Sequence, residues 1–151
     1  MPTVYLDSSV LIAFLYEEED QPEKFQQAQR LFSAIREERL AGVVSFYALP
    51  ELYGHVKENH PTGEINPVFR LSLVDLLSIP IVVMPFLERS EFNVLHQKFT
   101  ISDSQDARHV ASALANKCDA LITFDNHFRQ VSNLIPVFTP AEFLATLENA
   151  A

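Results

Sequence analysis

The sequence is poor in residues that several kinds of functional site require. It has three glycines, one cysteine (Cys118) and no tryptophan in 151 residues. With so few glycines, no glycine-rich phosphate-binding loop is expected. A single cysteine excludes an internal disulfide and a cysteine-based zinc site, and it indicates a reducing compartment. We therefore expect a cytoplasmic protein.

The chain also lacks a long apolar segment. No run reaches the roughly 18 residues that a membrane-spanning helix needs, so no membrane association is expected. Met1 and Pro2 lead directly into a strand-like segment, without the charged and apolar regions of a secretion signal. The composition, 48% hydrophobic and 21% charged, is ordinary for a globular protein, and the length predicts one domain over residues 1–151.

Basic residues are scarce, with 11 Lys and Arg against 20 Asp and Glu and a net charge of -9. This balance argues against a broad basic surface for nucleic acid. It does not exclude a nuclease, because the carboxylates of a metal site are counted in the total. Any RNA contact must then be local, and the best candidates for phosphate contacts are Arg108, Arg129 and Lys57, which lie near the acids Asp106, Asp125 and Glu51 in sequence.

Strand-like and helix-like segments alternate along the chain. Short β-branched or apolar runs occur at residues 3–6, 43–46, 80–85, 120–123 and 134–138. Amphipathic or capped helical segments are predicted at residues 10–16, 21–39, 48–58, 66–77 and 88–99, after Ser102, and from Thr139. Ser102 and Gln105 fit a capping box. The alternation predicts a parallel sheet with helices on both faces.

Four acids stand where such folds place ligands. Asp7 follows the first strand, Glu51 lies in the first turn of the helix after the second strand, and Asp125 follows the fourth strand. Ligands in open α/β sheets bind outside the carboxyl ends of the strands, so these three should share one edge. Asp106 joins them if its helix begins near that edge.

Carboxylates brought together in this way need a cation. Two charges 4 Å apart repel by about 4 kcal/mol at an effective dielectric constant of 20, and without a partner they take up protons. Oxygen ligands, with no cysteine and no paired histidines, favour Mg²⁺ or Mn²⁺ over Zn²⁺. One or two such ions activate water and stabilise an in-line displacement at phosphorus, so phosphodiester hydrolysis is the predicted chemistry.

Four segments, in order along nearly the whole chain, resemble a PIN domain: TVYLDSSVL, ALPEL, DARHVASAL and ITFDNHF. The resemblance implies a three-layer α/β/α sandwich with a mostly parallel five-stranded sheet. It also implies a Mg²⁺- or Mn²⁺-dependent endoribonuclease that cleaves RNA. Small single-domain members are often VapC-like toxins, with an antitoxin protein as partner, and are commonly homodimers.

The resemblance also assigns roles to individual residues. Asp7, Glu51, Asp106 and Asp125 match the four acids of the family. Ser8 or Ser9, together with Thr123, match small hydroxyl residues that orient ligands or water.

Taken singly, each acid also has an ordinary structural interpretation. Asp7 can be a helix N-cap, Glu51 a solvated helix acid, Asp106 a first-turn acid that stabilises the helix dipole, and Asp125 a turn residue. Asp103 is interpreted as a helix cap first and as a metal-assisting residue second. The histidines form no metal-binding motif and are interpreted as structural or surface residues; among them, His127 is the candidate for substrate contact.

Two other functions compete with the nuclease. A catalytically silent PIN-fold module, acting through a protein or RNA partner, is suggested by the acidic surface. A phosphohydrolase with a carboxylate nucleophile needs a second Asp two residues after Asp7, where this chain has Ser9.

Overall fold

The computed structural model describes residues 1–150. Its strands are β1 Thr3–Leu6, β2 Ala41–Ser45, β3 Ile81–Met84, β4 Ala120–Ile122 and β5 Val137–Phe138. Its α-helices are α1 Ser8–Tyr16, α2 Pro22–Arg36, α3 Ala48–Asn59, α4 Ile65–Leu77, α5 Arg89–His96, α6 Ser104–Ala115 and α7 Pro140–Ala150. Short 3₁₀ helices span Thr62–Glu64 and Asn126–Val131.

The five strands form one sheet in the order β3-β2-β1-β4-β5, and every pairing is parallel. The central strand β1 pairs with β2 on one side and β4 on the other, with Tyr5 opposite both Val43 and Leu121. Because all strands run in one direction, their carboxyl ends lie at one edge of the sheet. The predicted parallel α/β sheet is confirmed.

Successive residues of β1 face opposite layers. Val4 and Leu6 pack into a core that includes buried side chains of α1, α2 and α7. Tyr5 faces the other layer, where its neighbours include Val110 of α6 and Phe128 of the second 3₁₀ helix. Helices therefore cover both faces of the sheet, as the predicted three-layer α/β/α sandwich requires.

The last predicted strand was too long. Residues 134–138 were expected to be extended, but only Val137 and Phe138 pair with β4. Leu134 and Ile135 instead donate their amides to the carbonyl of Val131 at the end of the 3₁₀ helix, and Ile135 is buried. Burial within a turn produced the apolar run that the sequence presents as a strand.

The predicted capping box at the start of α6 was wrong. The N-cap is Asp103, whose Oδ1 accepts hydrogen bonds from the amides of Gln105 and Asp106 at 2.8 and 3.1 Å. Ser102 precedes the cap. The helix therefore begins at Ser104, and Asp106 lies in its first turn with its own amide fixed by the cap.

Among residues 1–150, no helix is both long enough and apolar enough to cross a bilayer.

Candidate active site

The four acids predicted to share one edge of the sheet lie in two adjacent groups. Asp7, Glu51 and His109 have ligand atoms within 4.8 Å of one another, and so do Asp106, Asp125 and His127. Asp7 and Asp125 both act electrostatically on Asp106, so the two groups adjoin. The side chains come from four separate segments of the chain, and parallel connectivity brings them together.

Asp7 is held in place by a network of hydroxyl and amide donors. It leaves β1 as the N-cap of α1, and its Oδ2 accepts hydrogen bonds from the Ser9 amide (3.3 Å), the Ser9 hydroxyl (2.7 Å) and the Thr123 hydroxyl (2.8 Å). The amides of Phe124 and Asp125 donate to these same two hydroxyls. The predicted small hydroxyls Ser9 and Thr123 thus fasten the loop after β4 to the loop after β1. Oδ1 of Asp7 receives no donor from the described residues, so one oxygen of this carboxylate caps the helix and the other is left without a donor.

Glu51 lies in the first turn of α3, and its carboxylate meets His109 of α6. Nε2 of His109 is 3.1 Å from Oε1 and 3.2 Å from Oε2 of Glu51, and 3.2 Å from Oγ of Ser8. Nδ1 of His109 is 2.6 Å from Oη of Tyr5, in the centre of the sheet. The histidine is fully buried. It therefore links the carboxylate of Glu51 to the core and restricts the positions that this carboxylate can take.

The pKa of His109 follows from this environment. Burial alone would lower it, but the hydrogen bond to Glu51 and the nearby Asp7, Glu51 and Asp106 carboxylates outweigh burial and raise the pKa above its ordinary value. Burial also raises the pKa of Tyr5, so its hydroxyl keeps its proton. A protonated His109 donates from both ring nitrogens, to Tyr5 on one side and to Glu51 on the other.

Asp106 has a clearly raised pKa. Partial burial and the neighbouring carboxylates of Asp103, Asp7 and Asp125 raise its pKa from 3.8 to about 6, although His109 opposes the rise. No donor from residues 1–150 hydrogen-bonds to its carboxylate. Asp125 is half-buried and is the N-cap of the second 3₁₀ helix, where its Oδ1 accepts from the His127 amide at 2.9 Å.

Helix N-termini partly offset the negative charge. Asp7 caps α1, Glu51 and Asp106 lie in the first turns of α3 and α6, and Asp125 caps a 3₁₀ helix. Each N-terminus carries a partial positive charge that favours an anion. Over residues 1–150, the ion pairs of these acids involve only the histidines His109 and His127, because no Lys or Arg lies within ion-pairing distance of them.

The other residues singled out from sequence have distinct surroundings. The side chain of Ser8 contacts His109, not Asp7. Arg108 lies near the acids, with its guanidinium 5.7 Å from the centre of the Tyr47 ring. Arg129 is occupied by Glu142 at 2.8 Å and by the carbonyl of Val137 at 3.0 Å. Lys57 is in the last turn of α3, at the opposite end from Glu51. Of these three cations, Arg108 is the best placed to meet a phosphate.

His109 is the residue that sequence reasoning undervalued. It was interpreted as a structural residue, but it contacts Glu51, Ser8 and Tyr5 at once. A signal was present: His109 follows Asp106 by three residues, a spacing that places two side chains on the same face of a helix. Tyr5 gave a second signal, since a tyrosine within a fully buried strand needs a partner for its hydroxyl.

A parallel five-stranded α/β/α sandwich with a cluster of carboxylates at the carboxyl edge of its sheet defines the class of this protein. The family model of the PIN domain matches residues 4–134. The chain belongs to the PIN domain family, as its sequence motifs indicated.

Solved structures with the same fold include toxins and toxin–antitoxin complexes. VapC20 from Mycobacterium tuberculosis, a sarcin–ricin-loop-cleaving toxin, is 16% identical, with a TM-score of 0.62 over 89% of this chain and 98% of that chain. VapBC-1 from nontypeable Haemophilus influenzae is 16% identical, with a TM-score of 0.60 over 92% and 98%. VapBC2 from Rickettsia felis, bound to a promoter DNA fragment, is 14% identical, with a TM-score of 0.60 over 89% and 96%. No curated protein sequence matches the chain.

Proposed function

We propose that this protein is a Mg²⁺- or Mn²⁺-dependent endoribonuclease that hydrolyses RNA phosphodiesters. The observation that carries the proposal is the juxtaposition of Asp7, Glu51, Asp106 and Asp125 at one edge of the sheet, with no Lys or Arg of residues 1–150 paired to them. Membership of the PIN domain family supports the same activity.

The donor set fits a hard divalent cation. Oδ1 of Asp7 and the carboxylate of Asp106 have no protein donor among the described residues, and burial, followed by repulsion from nearby carboxylates, raises the pKa of Asp106. Carboxylate oxygens favour Mg²⁺ or Mn²⁺. Asp7, Glu51, Asp106 and Asp125 would hold one or two ions. When bound, such an ion activates a water molecule and stabilises charge on the phosphate during in-line displacement.

The chain's own residues prepare this site. Ser9 and Thr123 fix Asp7 through Oδ2 and leave Oδ1 without a donor from the described residues, and His109 fixes Glu51. Supporting bonds of this kind commonly change metal affinity by about 10- to 100-fold when removed. The helix N-termini add a positive potential that also favours a phosphate.

The test is cleavage of a mixed RNA in Mn²⁺ by the wild type and by Asp7→Asn and Asp106→Asn. We expect the wild type to cleave and both variants to lose activity by at least about 100-fold, because each removes a ligand charge from the metal site. Equal cleavage by all three proteins, or none by the folded wild type, would refute the proposal.

We further propose that the protein is the toxin of a toxin–antitoxin pair, acts in the cytoplasm and forms a homodimer. The toxins and toxin–antitoxin complexes that share this fold support the toxin proposal.

Leu71, Val74 and Leu77 of α4 are each more than 60% exposed and form an apolar stripe that a protein partner can cover. Sedimentation of the wild type and of Leu71→Asp/Val74→Asp tests the dimer: a dimeric variant would rule out this stripe as the interface.

The second candidate is a silent PIN-fold module that acts only through a partner. The net charge of -9 favours it, because that charge opposes RNA binding over most of the surface. A calorimetric Mn²⁺ titration separates the two candidates, since a folded protein that binds no Mn²⁺ fits only the silent module.

A further inference from the structure

A groove opens beside Glu51, on the side of the active site towards β3. It has a volume of about 500 Å³, and its walls include Tyr47, Glu51, Phe86, Phe92, Arg89 and Arg108. These residues come from the start of α3, the segment after β3, the first turn of α5 and the first two turns of α6. The groove therefore lies at the same edge of the sheet as the carboxylates and shares Glu51 with them.

Two guanidinium groups give this groove a positive charge in an acidic protein. Arg89 and Arg108 are both exposed, and no carboxylate of residues 1–150 lies within ion-pairing distance of either. Arg39 and Arg129 are paired with Glu37 and Glu142. Other arginines of residues 1–150 are also unpaired, so the position beside Glu51 is what distinguishes Arg89 and Arg108. Unpaired arginines close to a cluster of acids are suited to a ligand that brings its own negative charge.

Aromatic rings form another wall of the groove. Phe86 packs edge-on against Tyr47 and Phe46, with ring centres 4.9 and 5.8 Å apart, yet 56% of Phe86 stays exposed. The Tyr47 hydroxyl accepts a hydrogen bond from the Leu87 amide at 3.1 Å, which fixes the segment carrying Phe86 against α3. A large aromatic side chain is thus held in place without being buried. Exposed aromatic rings beside guanidinium groups are the pattern of single-stranded nucleic acid sites.

We propose that this groove binds the nucleotide next to the scissile phosphate of single-stranded RNA, with a base stacked on Phe86 and flanking phosphate contacted by Arg89 and Arg108. The inference rests on the ribonuclease function proposed above. It explains how a chain with a net charge of -9 engages RNA, because the contact is confined to one small groove lined by two arginines beside the proposed metal ligands.

The test measures RNA affinity separately from cleavage. Fluorescence anisotropy follows a short labelled single-stranded oligoribonucleotide of mixed sequence binding to Asp106→Asn protein, which is expected not to cleave it. Phe86→Ala and Arg89→Ala/Arg108→Ala are then added to this parent. Arg36→Ala/Arg39→Ala is the matched control, since it removes the same charge just before β2, at the opposite edge of the sheet.

We expect Phe86→Ala to weaken binding by roughly 5- to 100-fold and Phe86→Tyr to restore it, because stacking requires an aromatic face. The double arginine variant should weaken binding and reduce the slope of log affinity against log salt by about 0.7 for each phosphate that an arginine no longer neutralises. The control should keep the parent slope. Thermal unfolding monitored by circular dichroism verifies that each variant is folded.

The inference is overturned if the parent does not bind the oligoribonucleotide, if the groove variants bind as the parent does, or if the control loses as much affinity as they do. A change of oligomeric state in Phe86→Ala with unchanged RNA affinity would assign the groove to protein contact and would also overturn it. Wild type that cleaves no RNA, while the groove variants lose affinity, would refute the ribonuclease proposal but support the RNA-binding groove.

Discussion

At the scale of single residues, His109 changes how the site is understood. A buried histidine is ordinarily a satisfied core residue, but this one joins the Tyr5 hydroxyl in the sheet to the Glu51 carboxylate at the pocket. The same hydrogen bond serves the core and the site, because the bond that gives the buried His109 ring a partner also orients the Glu51 carboxylate. We infer that His109 is a positioning residue for Glu51.

Replacing His109 by Ala should therefore affect both metal binding and stability. Mn²⁺ affinity should fall by about 10- to 100-fold because Glu51 loses its supporting donor. Unfolding free energy should fall by about 1–3 kcal/mol or more, because the buried Tyr5 hydroxyl loses its partner and a cavity remains. Calorimetry and urea unfolding measure the two effects.

Tyr5→Phe serves as the comparison for His109→Ala. It removes the hydrogen bond that Nδ1 donates to the Tyr5 hydroxyl and leaves the bonds between His109 and Glu51 in place, so it should cost about 1 kcal/mol of stability and have a smaller effect on Mn²⁺ affinity. If folded His109→Ala kept wild-type Mn²⁺ affinity, the positioning role would be refuted.

Asp106 should destabilise the metal-free protein. Because its pKa rises from 3.8 in the unfolded chain to about 6 in the folded protein, the folded state binds this proton more tightly. Its contribution is favourable below pH 3.8 and is lost as pH rises towards 6, so above pH 6 the ionised carboxylate opposes folding. Asp106→Asn removes this penalty.

At pH 8 and without metal, Asp106→Asn should therefore have a higher melting temperature than the wild type. After allowance for the partial exposure of the side chain, the difference should be about 1 kcal/mol, or about 2–4 °C in melting temperature. Saturating Mn²⁺ should reverse the order, because it stabilises the tighter-binding wild type by more than it stabilises the variant. A metal-free variant less stable than the wild type at pH 8 would contradict this reasoning.

At the scale of helices and strands, the sequence patterns predicted most of the fold but only part of the candidate site. The alternation of strands and helices predicted the parallel sheet, and its connectivity predicted that Asp7, Glu51 and Asp125 lie at one edge. The pattern could not separate the turn at Leu134 and Ile135 from a strand, because this turn, like a strand, buries an apolar side chain, that of Ile135. Nor could it choose between Ser102 and Asp103 as the cap of α6, because either side chain can accept the amide hydrogen bonds.

The cap of α6 gives a prediction at this scale. Asp103→Ala should destabilise the protein by about 1 kcal/mol, because the Gln105 and Asp106 amides lose their acceptor. Asp103→Ser should restore most of the loss, since serine is also a good N-cap. Urea unfolding measures both, and equal stability of the alanine variant and the wild type would show that the cap contributes nothing.

At the scale of the whole molecule, the charges are arranged in opposing groups. Carboxylates gather at the carboxyl edge of the sheet, while unpaired guanidinium groups line the groove next to them. A bound divalent cation would neutralise the carboxylates, and RNA phosphates would neutralise the guanidinium groups. That residues 1–151 form a single domain remains a prediction from length and composition.

The central claim is that Asp7, Glu51, Asp106 and Asp125 form one site for a divalent cation, and calorimetric titration of Mn²⁺ tests it most directly. The wild type should bind, and Asp7→Asn, Glu51→Gln, Asp106→Asn and Asp125→Asn should each weaken binding by at least about tenfold. Asp75→Asn, an exposed acid on α4, should bind as the wild type does. No binding by the folded wild type, or equal weakening by Asp75→Asn, would contradict the account.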